Sequence, residues 1–553
     1  MLTFLRHIRY FRRYRQIINV MMRYGFSEIL DQLKLKRKPG WFRFQRQTHA
    51  DHIANRPVRL RLAMEELGPT FVKIGQLLST RVDLLPKEYV EEFSRLQDSV
   101  KPFSGEEARR QVEEELKVSL GEKFLQFDEN PLAAASISQV HRAVLYSGEE
   151  VVVKVKRPDI EPQILQDLQI LKYAASFADR NTQWGEIYHF YEMAEEIEQI
   201  IINELDFRIE ARNAERIKNN FKNHTTVYIP YVYEDSSTRE VLTLEQCHGR
   251  NLNLFMEDEE VPSTKKKVVA ENIIDAYFMM IFVHGFFHGD PHPGNIIVFS
   301  DDTLALVDFG TAGFIDESFQ EKLQLLLRYL TEQKAEEVTD IVIELGVVPD
   351  HVEKRNLVSD VARLQEKYYQ MPLEKIEIRE VFSEFLWIMG KHKIRMPHEF
   401  LLLTKTIATV EGIISRLDPD FKIVEGINRY KHVLQKSFFK RGKRKTKELF
   451  SVYESFVWHF PQHLNRFTQK GASGDLKFNL EIMHMERMLK RIGNMINRLA
   501  FSIVLASLIV GLSFIIGREE FLFVRQFPLA EIALSVAGVA GLWWLLTILR
   551  SER

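Results

Sequence analysis

With 553 residues, 27% of them charged and a formal net charge of −2, the chain is long enough for two or three domains and lacks the global basic field that a nucleic-acid partner calls for. Its single cysteine, Cys247, excludes a disulfide framework and a cysteine-ligated zinc site, and suits a reducing compartment. Neither G-x-x-x-x-G-K-[ST] nor G-x-G-x-x-G occurs, which excludes a P-loop and leaves any phosphate-binding loop without its usual glycines.

Residues 1–25 interleave Leu5, Ile8 and Phe11 with Arg6, Arg9 and Arg13, so no signal-peptide core forms. The pattern predicts a basic amphipathic helix with two fates open: lying on an anionic membrane surface, or packing on its own domain with a solvated basic side. KLKRKPGWFRFQRQ (34–47) reads as a basic linker or a further anchor. Leu67-Gly68-Pro69 then opens a helix, proline being tolerated in a first turn. Phe71, Ile74 and Leu78 share one side of it at helical spacing, and Lys73, Gln76 and Thr80 gather on another. A solvated polar face would account for that trio. The apolar neighbours Leu77, Leu84 and Leu85 argue instead for deeper burial, where polar groups need partners.

Ser104-Gly-Glu-Glu has the form of a capping box and opens a charged helix to about Leu120. Residues 139–146 and 150–156 read as two strands joined by Ser147-Gly148, hence a hairpin. Val151, Val153 and Val155 lie on one face of the second strand and leave Lys154 and Lys156 on the other. Alternation alone therefore leaves two candidates for a strand lysine that meets phosphate. Ahead of the hairpin, Ala133-Ala134-Ala135-Ser136-Ile137-Ser138 is a run of mostly small residues where backbone can approach phosphate, although Ala and Ser enter positive φ less readily than Gly.

Residues 187–214 read as one long helical stretch offering Glu204, Asp206 and Glu210. Glu204 and Glu210 are six apart and cannot share a helical face, so one can face a strand lysine while the other does something else. Residues 231–232 and 240–245 read as two more strands that finish a small lobe, with 246–249 as its hinge. Residues 272–282 are almost entirely apolar, a buried helix of a larger helical lobe that runs on from 319 to about 435.

The most informative stretch is HGFFHGDPHPGNIIVFSDDTLALVDFGTAG (284–313). His288-Gly289-Asp290, Asn295 and Asp308-Phe309-Gly310 follow the order of the kinase catalytic loop H-R-D-L-x-x-x-N and its D-F-G, with the same step of five from Asp290 to Asn295. In such loops the first Asp accepts the acceptor's proton, and the Asn and the second Asp hold magnesium. Residues 296–299 and 303–307, joined by Asp301-Asp302, supply a tight hairpin between them. Each tripeptide alone is commonplace. Ordered and spaced together, they point to a nucleotide site.

FFKRGKRKTKELF (438–450) is a strongly basic linker. Residues 499–516 and 529–549 are apolar runs about long enough to span hydrocarbon, and the short GREEFLFVRQFP between them makes a transmembrane hairpin. Lys490, Arg491, Arg498, Arg550 and Arg553 place both outer ends on the cytoplasmic side.

KIGQ (73–76), AAASISQVH (133–141), VVVK (151–154), ELDFRIEA (204–211), HGDPHPGN (288–295) and DFG (308–310) together resemble the UbiB/AarF (ADCK) family of atypical protein-kinase-like enzymes. The resemblance implies an α+β, bilobal protein-kinase-like fold. A helical extension (1–110) would precede a small β-rich lobe (111–250) and a larger helical lobe (251–436). A basic linker with amphipathic helices (437–497) and two transmembrane helices (498–550) would follow. It implies Lys154 as the phosphate-contacting lysine, Glu210 as its helix partner, Asp290 as the catalytic-loop acid, and Asn295 and Asp308 as ligands of Mg2+. ATP would be held along Ala133, Ala134, Ala135, Ser136, Ile137, Ser138, Gln139 and Val140, with Ser138 standing where the family pattern has Gly. Lys73 and Gln76 would belong to an extension folded over the site, Lys73 meeting Glu204.

The implied activity is that of a membrane-anchored ATP-dependent atypical kinase or ATPase supporting isoprenoid quinone (ubiquinone-type) biosynthesis or lipid handling. The kinase-like domain would lie in the cytoplasm at the inner (plasma) membrane. Expected partners are membrane lipid, isoprenoid quinone precursors and quinone-biosynthesis enzymes. Two rivals are a small-molecule hydroxyl phosphotransferase, because HGD-x-x-x-x-N also resembles aminoglycoside and choline kinases, and an ATP-gated, non-enzymatic scaffold that presents lipids, motivated by the basic segments and the apolar hairpin.

Overall fold

The valine alternation of residues 150–156 is realised as an inner strand of a five-stranded antiparallel sheet. Its strands are β1 (Phe124–Phe127), β2 (Ala133–Ala134), β3 (Ser138–Leu145), β4 (Glu150–Lys156) and β6 (Val241–Glu245), in the order β1-β3-β4-β6 with β2 paired to β3. Val151, Val153 and Val155 are fully buried and pack with Phe124, Ala143, Leu145 and Val241, while Lys154 and Lys156 project from the other face. This computed structural model describes residues 2–27, 55–81, 84–96, 102–182, 189–348, 352–369 and 378–419, together with 185, 371, 421 and 507. The basic segments 34–47 and 438–450 and, residue 507 apart, both C-terminal apolar runs lie outside the described residues. Among the described residues, no helix is long and apolar enough to cross a membrane.

The small sheet is preceded by α1 (Leu2–Arg23), α2 (Arg56–Leu67), α3 (Pro69–Ser79), α4 (Lys87–Phe93), α5 (Gly105–Leu116) and the single turn α6 (Leu120–Lys123). Of the two fates open to the N-terminal helix, packing on its own domain is seen for its second half. Ile18 and Val20 are buried, and Arg13 grips the fully buried Asp167 through Nε and Nη2 at 2.7 and 2.8 Å and donates to the Leu67 carbonyl at 2.7 Å. The capping box at Ser104 forms in both directions: Ser104 Oγ accepts from the Glu107 N–H at 3.2 Å, and the Glu107 carboxylate accepts from the Ser104 N–H at 3.1 Å. That helix ends at Leu116, earlier than the charge pattern indicates, because Lys117 turns left-handed at φ 55°.

The stretch 187–214 is not one helix. After α7 (Ile160–Asn181) come α8 (Phe190–Glu204) and α9 (Phe207–Asn220), broken at Leu205-Asp206. Asp206 leaves helical geometry at φ −111° and caps α9, its carboxylate accepting from the Arg208 N–H at 3.1 Å, while Phe207 is buried. The break places Glu204 and Glu210 on separate helices, so the phase argument that set them apart on one helix does not apply.

The chain enters a second sheet before leaving the first. β5 (Val227–Tyr228) runs parallel to β10 (Leu304–Leu306), which pairs with β9 (Ile296–Val298), and β9 with β7 (Arg250–Asn251). Thus β5, numbered with the small lobe in sequence, belongs to the sheet of the larger one. Of residues 231–232, only Val232 makes an isolated bridge, to Leu244. Residues 246–249 then carry the chain from β6 to β7, where the sequence places a hinge. The larger lobe continues with α10 (Leu252–Glu257) and α11 (Ser263–Phe278), which runs into a π-helical turn at Met279–His284. A two-stranded ribbon follows, β8 (Phe286–His288) against β11 (Ala312–Phe314), then α12 (Glu317–Thr331), α13 (Ala335–Leu345), α14 (Lys354–Tyr369), α15 (Ile378–Lys391) and α16 (His398–Leu417). One large apolar core joins these elements, with Phe287, Phe309, Met389 and Phe400 buried within it.

Candidate active site

A helix and a loop converge on the strand lysine. Lys154 projects from β4, and its ammonium donates to both oxygens of Glu210 at 2.9 Å and to Asp308 Oδ1 at 3.1 Å. Lys156, its rival by alternation, is buried elsewhere: its ammonium meets Glu161 at 2.8 Å, Glu240 at 2.7 Å and the Leu205 carbonyl at 3.4 Å. Position along the strand separates the two lysines where face could not.

α9 presents Glu210 and, one turn on, Asn213 to the same neighbour. Asn213 Nδ2 donates to the Phe309 carbonyl at 3.0 Å, so one helix face grips both the lysine and the Asp308-Phe309-Gly310 backbone. Phe309 is fully buried and fixes that segment from beneath. Asp308 itself adopts φ 62°, a left-handed conformation that Asp tolerates better than most side chains.

The electrostatics follow from burial and charge count. Burial pushes the Glu210 carboxyl up to about 7 against the pull of Lys154. Asp308 is held down at about 2, first by the Lys154 charge. Burial works against the Lys154 ammonium, but the Asp308 and Glu210 carboxylates outweigh it and keep it protonated.

The catalytic-loop stretch is held by its histidine. Buried His288 accepts from the Asp290 N–H at Nδ1 (3.3 Å), which leaves Nε2–H to donate to the Val307 carbonyl at 3.1 Å. One neutral imidazole thus ties Asp290 to the residue before Asp308, and its ring meets Phe309 edge-on at 5.4 Å. Burial lowers the His288 pKa, in keeping with the neutral ring. Asn295 Nδ2 donates to the Asp290 carbonyl at 3.1 Å and to Asp290 Oδ2 at 3.3 Å.

These donor sets suit a magnesium–nucleotide complex. With its Nδ2 spent on Asp290, Asn295 has its amide oxygen left to offer a cation. The Asp308 side chain is 51% exposed, and only its Oδ1 meets Lys154. Mg2+ at such sites takes one or two protein oxygens and completes its shell with phosphate oxygens and water, so a carboxylate and an amide suffice.

The loop at 133–140 is a tight β2–β3 turn closed by the Ala135 N–H on the Ser138 carbonyl at 2.8 Å. None of its residues has positive φ, so Ser138 occupies its position without the strain a left-handed turn would impose. Gln139 is fully buried and used structurally: Oε1 accepts from the Phe103 N–H at 3.0 Å, and Nε2 donates to the Phe103 carbonyl at 3.2 Å and to His141 at 3.0 Å. Its side chain is therefore not a nucleotide contact. The Gln139 side chain thus departs from the expected nucleotide contact, while along the turn Ala133 is exposed, Ala134 and Ala135 are half-buried and Ser136 is buried.

The polar trio on α3 splits three ways. Lys73 Nζ reaches Glu204 Oε1 at 2.7 Å, Gln76 Nε2 donates to the Leu96 carbonyl at 3.1 Å, and Thr80 bonds within its own helix to the Leu77 carbonyl at 2.7 Å. Gln76 therefore braces the extension through its Nε2. The apolar side of α3 (Phe71, Ile74, Leu77, Leu78) packs on α7 and α8, in the same apolar cluster as Ile137 of the loop.

One residue at the site went unread in the sequence. Lys405 of α16 lies 3.5 Å from Asp290 Oδ1. Its signal is a lone lysine inside the apolar run FLLLTKTIATVEGII, where a charge on a buried helix needs a reason.

Comparison with known proteins finds kinase-like relatives. Family models match three segments: an ABC1 atypical kinase-like domain over residues 95–342, a UbiB helical domain over 361–422, and an ABC1/UbiB kinase-like C-terminal domain over 483–550. An uncharacterized protein in the hydrogenase 1 5' region of Clostridium pasteurianum is 29% identical over 98% of this chain and 99% of its own length. A probable protein kinase UbiB of Cellvibrio japonicus is 35% identical over 76% of this chain and 75% of its own. The solved complex of Rv3197 with erythromycin from Mycobacterium tuberculosis aligns at 21% identity with a TM-score of 0.45, over 62% of this chain and 88% of that one.

Proposed function

The chain belongs to the UbiB/AarF family of atypical kinase-like proteins, and on that premise we propose that it is a membrane-anchored, Mg2+- and ATP-dependent kinase or ATPase serving isoprenoid quinone (ubiquinone-type) biosynthesis or lipid handling. The observation that carries the reading is the Lys154 ammonium held between Glu210 and Asp308. This is the lysine–glutamate pair and metal-binding aspartate that phosphoryl transfer requires to be in place together. The proposed anchor is the pair of apolar runs at 499–516 and 529–549, with the kinase-like domain on the cytoplasmic side. Membrane lipids and quinone precursors are its proposed partners.

In this reading Lys154 contacts the α- and β-phosphates and Glu210 keeps it aimed. Asn295 and Asp308 would hold Mg2+, which neutralises charge on the phosphate oxygens when bound. Asp290 takes the proton from the attacking oxygen of water or a hydroxyl acceptor. His288 holds the loop so that Asp290 and Asp308 keep their spacing. The small-residue loop at 133–138 lets backbone approach the triphosphate, and α3 closes over it from outside.

The test is Mg2+-dependent ATP hydrolysis by the full chain in lipid, comparing wild type with Asp308→Asn. Loss of turnover by at least about 100-fold is expected for removing an electrostatic group at the phosphoryl. Undiminished turnover in the variant rejects the assignment.

A further inference from the structure

The described contacts around Asp290 include one cation, and it comes from outside the catalytic loop. Between Asp290 and Asn295 stand Pro291, His292, Pro293 and Gly294, so the loop supplies no ammonium or guanidinium. His292 is occupied with its own turn, its Nδ1 accepting from the Gly294 N–H at 3.1 Å. Lys405 reaches in from α16, its Nζ 3.5 Å from Asp290 Oδ1.

The helix that carries Lys405 is fixed to the loop on either side of it. Thr406 Oγ1 donates to the Gly289 carbonyl at 3.3 Å. A Cβ added to Gly289 would lie 3.0 Å from Leu402, so Gly289 is the small residue that lets α16 seat against the loop. The base of the Lys405 side chain is therefore set rigidly, and only its flexible end is free to choose a partner.

Magnitudes argue against a purely structural pair. Lys405 and Asp290 are 43% and 40% exposed, and an ion pair that open contributes about 0–1 kcal/mol. At 3.5 Å it is also longer than a formed N–H···O bond. Lys154, in contrast, is committed to three carboxylate oxygens. A triphosphate laid along this row meets Lys154 at one end, and at the Asp290 end its remaining charge has Lys405 to meet.

Resting on the proposed phosphoryl-transfer reading, we propose that Lys405 is a phosphate-contacting catalytic residue. Its ammonium turns from Asp290 to the γ-phosphoryl oxygens as transfer proceeds. In that step the γ-phosphorus leaves the bridging oxygen, which departs on ADP with the electron pair. Phosphorus bonds to the attacking oxygen of water or a hydroxyl, and that oxygen's proton goes to Asp290. Lys405 supplies hydrogen bonds to the charge on the equatorial oxygens and forms no covalent bond.

The experiment compares wild type, Lys405→Met, Lys405→Gln and Lys405→Arg as full chains in lipid vesicles, reading ATP turnover, fluorescent-ADP affinity and thermal melting. Expected are a fall in kcat of about 100-fold in the Met and Gln variants and partial recovery in Arg, as for loss of one preorganised donor at a developing charge. ADP affinity and KM for ATP should stay within about twofold, since a group that acts on the γ-phosphoryl in the transition state adds little to ground-state binding. Equal kcat in all four proteins overturns the inference, as does a parallel loss of ADP affinity and melting temperature, which marks a structural lysine. Absence of Mg2+-dependent turnover in the wild type would instead defeat the underlying functional reading, so the two failures are distinguishable.

Discussion

Lys73 of α3 and Glu204, the last residue of α8, form an ion pair at 2.7 Å that ties the helical extension to the small lobe. Glu210, six residues on, belongs to the next helix and serves Lys154. Two carboxylates that compete for one lysine in the sequence answer to two different lysines in space. The Lys73 and Glu204 side chains are only 19% and 11% exposed, so removing either leaves the other charge partly buried. Lys73→Ala and Glu204→Ala should each lose about 3 kcal/mol of stability. The double variant should lose much less than their sum, which a double-mutant cycle by chemical denaturation measures.

The two lysines of β4 should separate function from stability. Lys156→Met removes one partner from each of Glu161 and Glu240 at a site where the lysine is only 2% exposed, and should lower stability by about 3 kcal/mol while leaving kcat of the folded protein within a few-fold. Lys154→Met should lower turnover by at least about 100-fold, the effect of losing a preorganised charge at the phosphates. Parallel melts and ATPase assays on both variants decide it, and the opposite pattern would reverse the assignment of the two residues.

Gly75 is required by packing and not by its backbone angle. A Cβ there would come within 2.2 Å of Leu96 Cδ1 and 2.8 Å of Met64 Sδ, both on side chains buried between α3 and its neighbours. Gly75→Ala should destabilise by about 1–3 kcal/mol through overpacking. Trimming the obstruction in Gly75→Ala with Leu96→Ala should relieve the clash, read as a positive coupling in denaturant melts.

His141 should make the small lobe sensitive to acid. Its Nδ1–H donates to the Asp128 carbonyl at 2.8 Å, and Nε2 accepts from Gln139 Nε2 at 3.0 Å, an arrangement that only the neutral ring satisfies. Burial accordingly lowers its pKa from the usual 6.5. A group with a depressed folded pKa contributes stability that is present above its unfolded pKa and is lost as pH falls through the folded value. Stability should therefore decline as pH drops below 6.5, and His141→Phe should flatten that slope. Urea melts at pH 7.5 and 5.5 on both proteins provide the comparison.

Much of the site was legible because its chemistry is local. Asp290, Asn295 and Asp308 are set by a loop and a tight hairpin close in sequence, although Leu304 pairs with Val298, so the turn is one residue longer than Asp301-Asp302 alone. The capping box at Ser104 and the β3–β4 hairpin are likewise decided by neighbours in sequence. The choice between Lys154 and Lys156 was not legible from alternation, because strand periodicity reports only which face a side chain takes. What Glu210, Asp308, Glu161 and Glu240 do with that face depends on helices and loops brought in from 5 to 154 residues away.

By itself, then, the sequence determined the kinase-like order of motifs, the composition of the loop that would cradle phosphate, and the residue types at each step of the catalytic stretch. Only the tertiary structure decided which lysine meets which carboxylate, that Gln76 and Gln139 are spent on backbone groups, and that α16 delivers Lys405 to Asp290. The physical reason is range. Turn geometry, capping and strand alternation act over a few residues and leave marks in the order of amino acids. An ion pair acts across whatever distance in the chain the packed core happens to close.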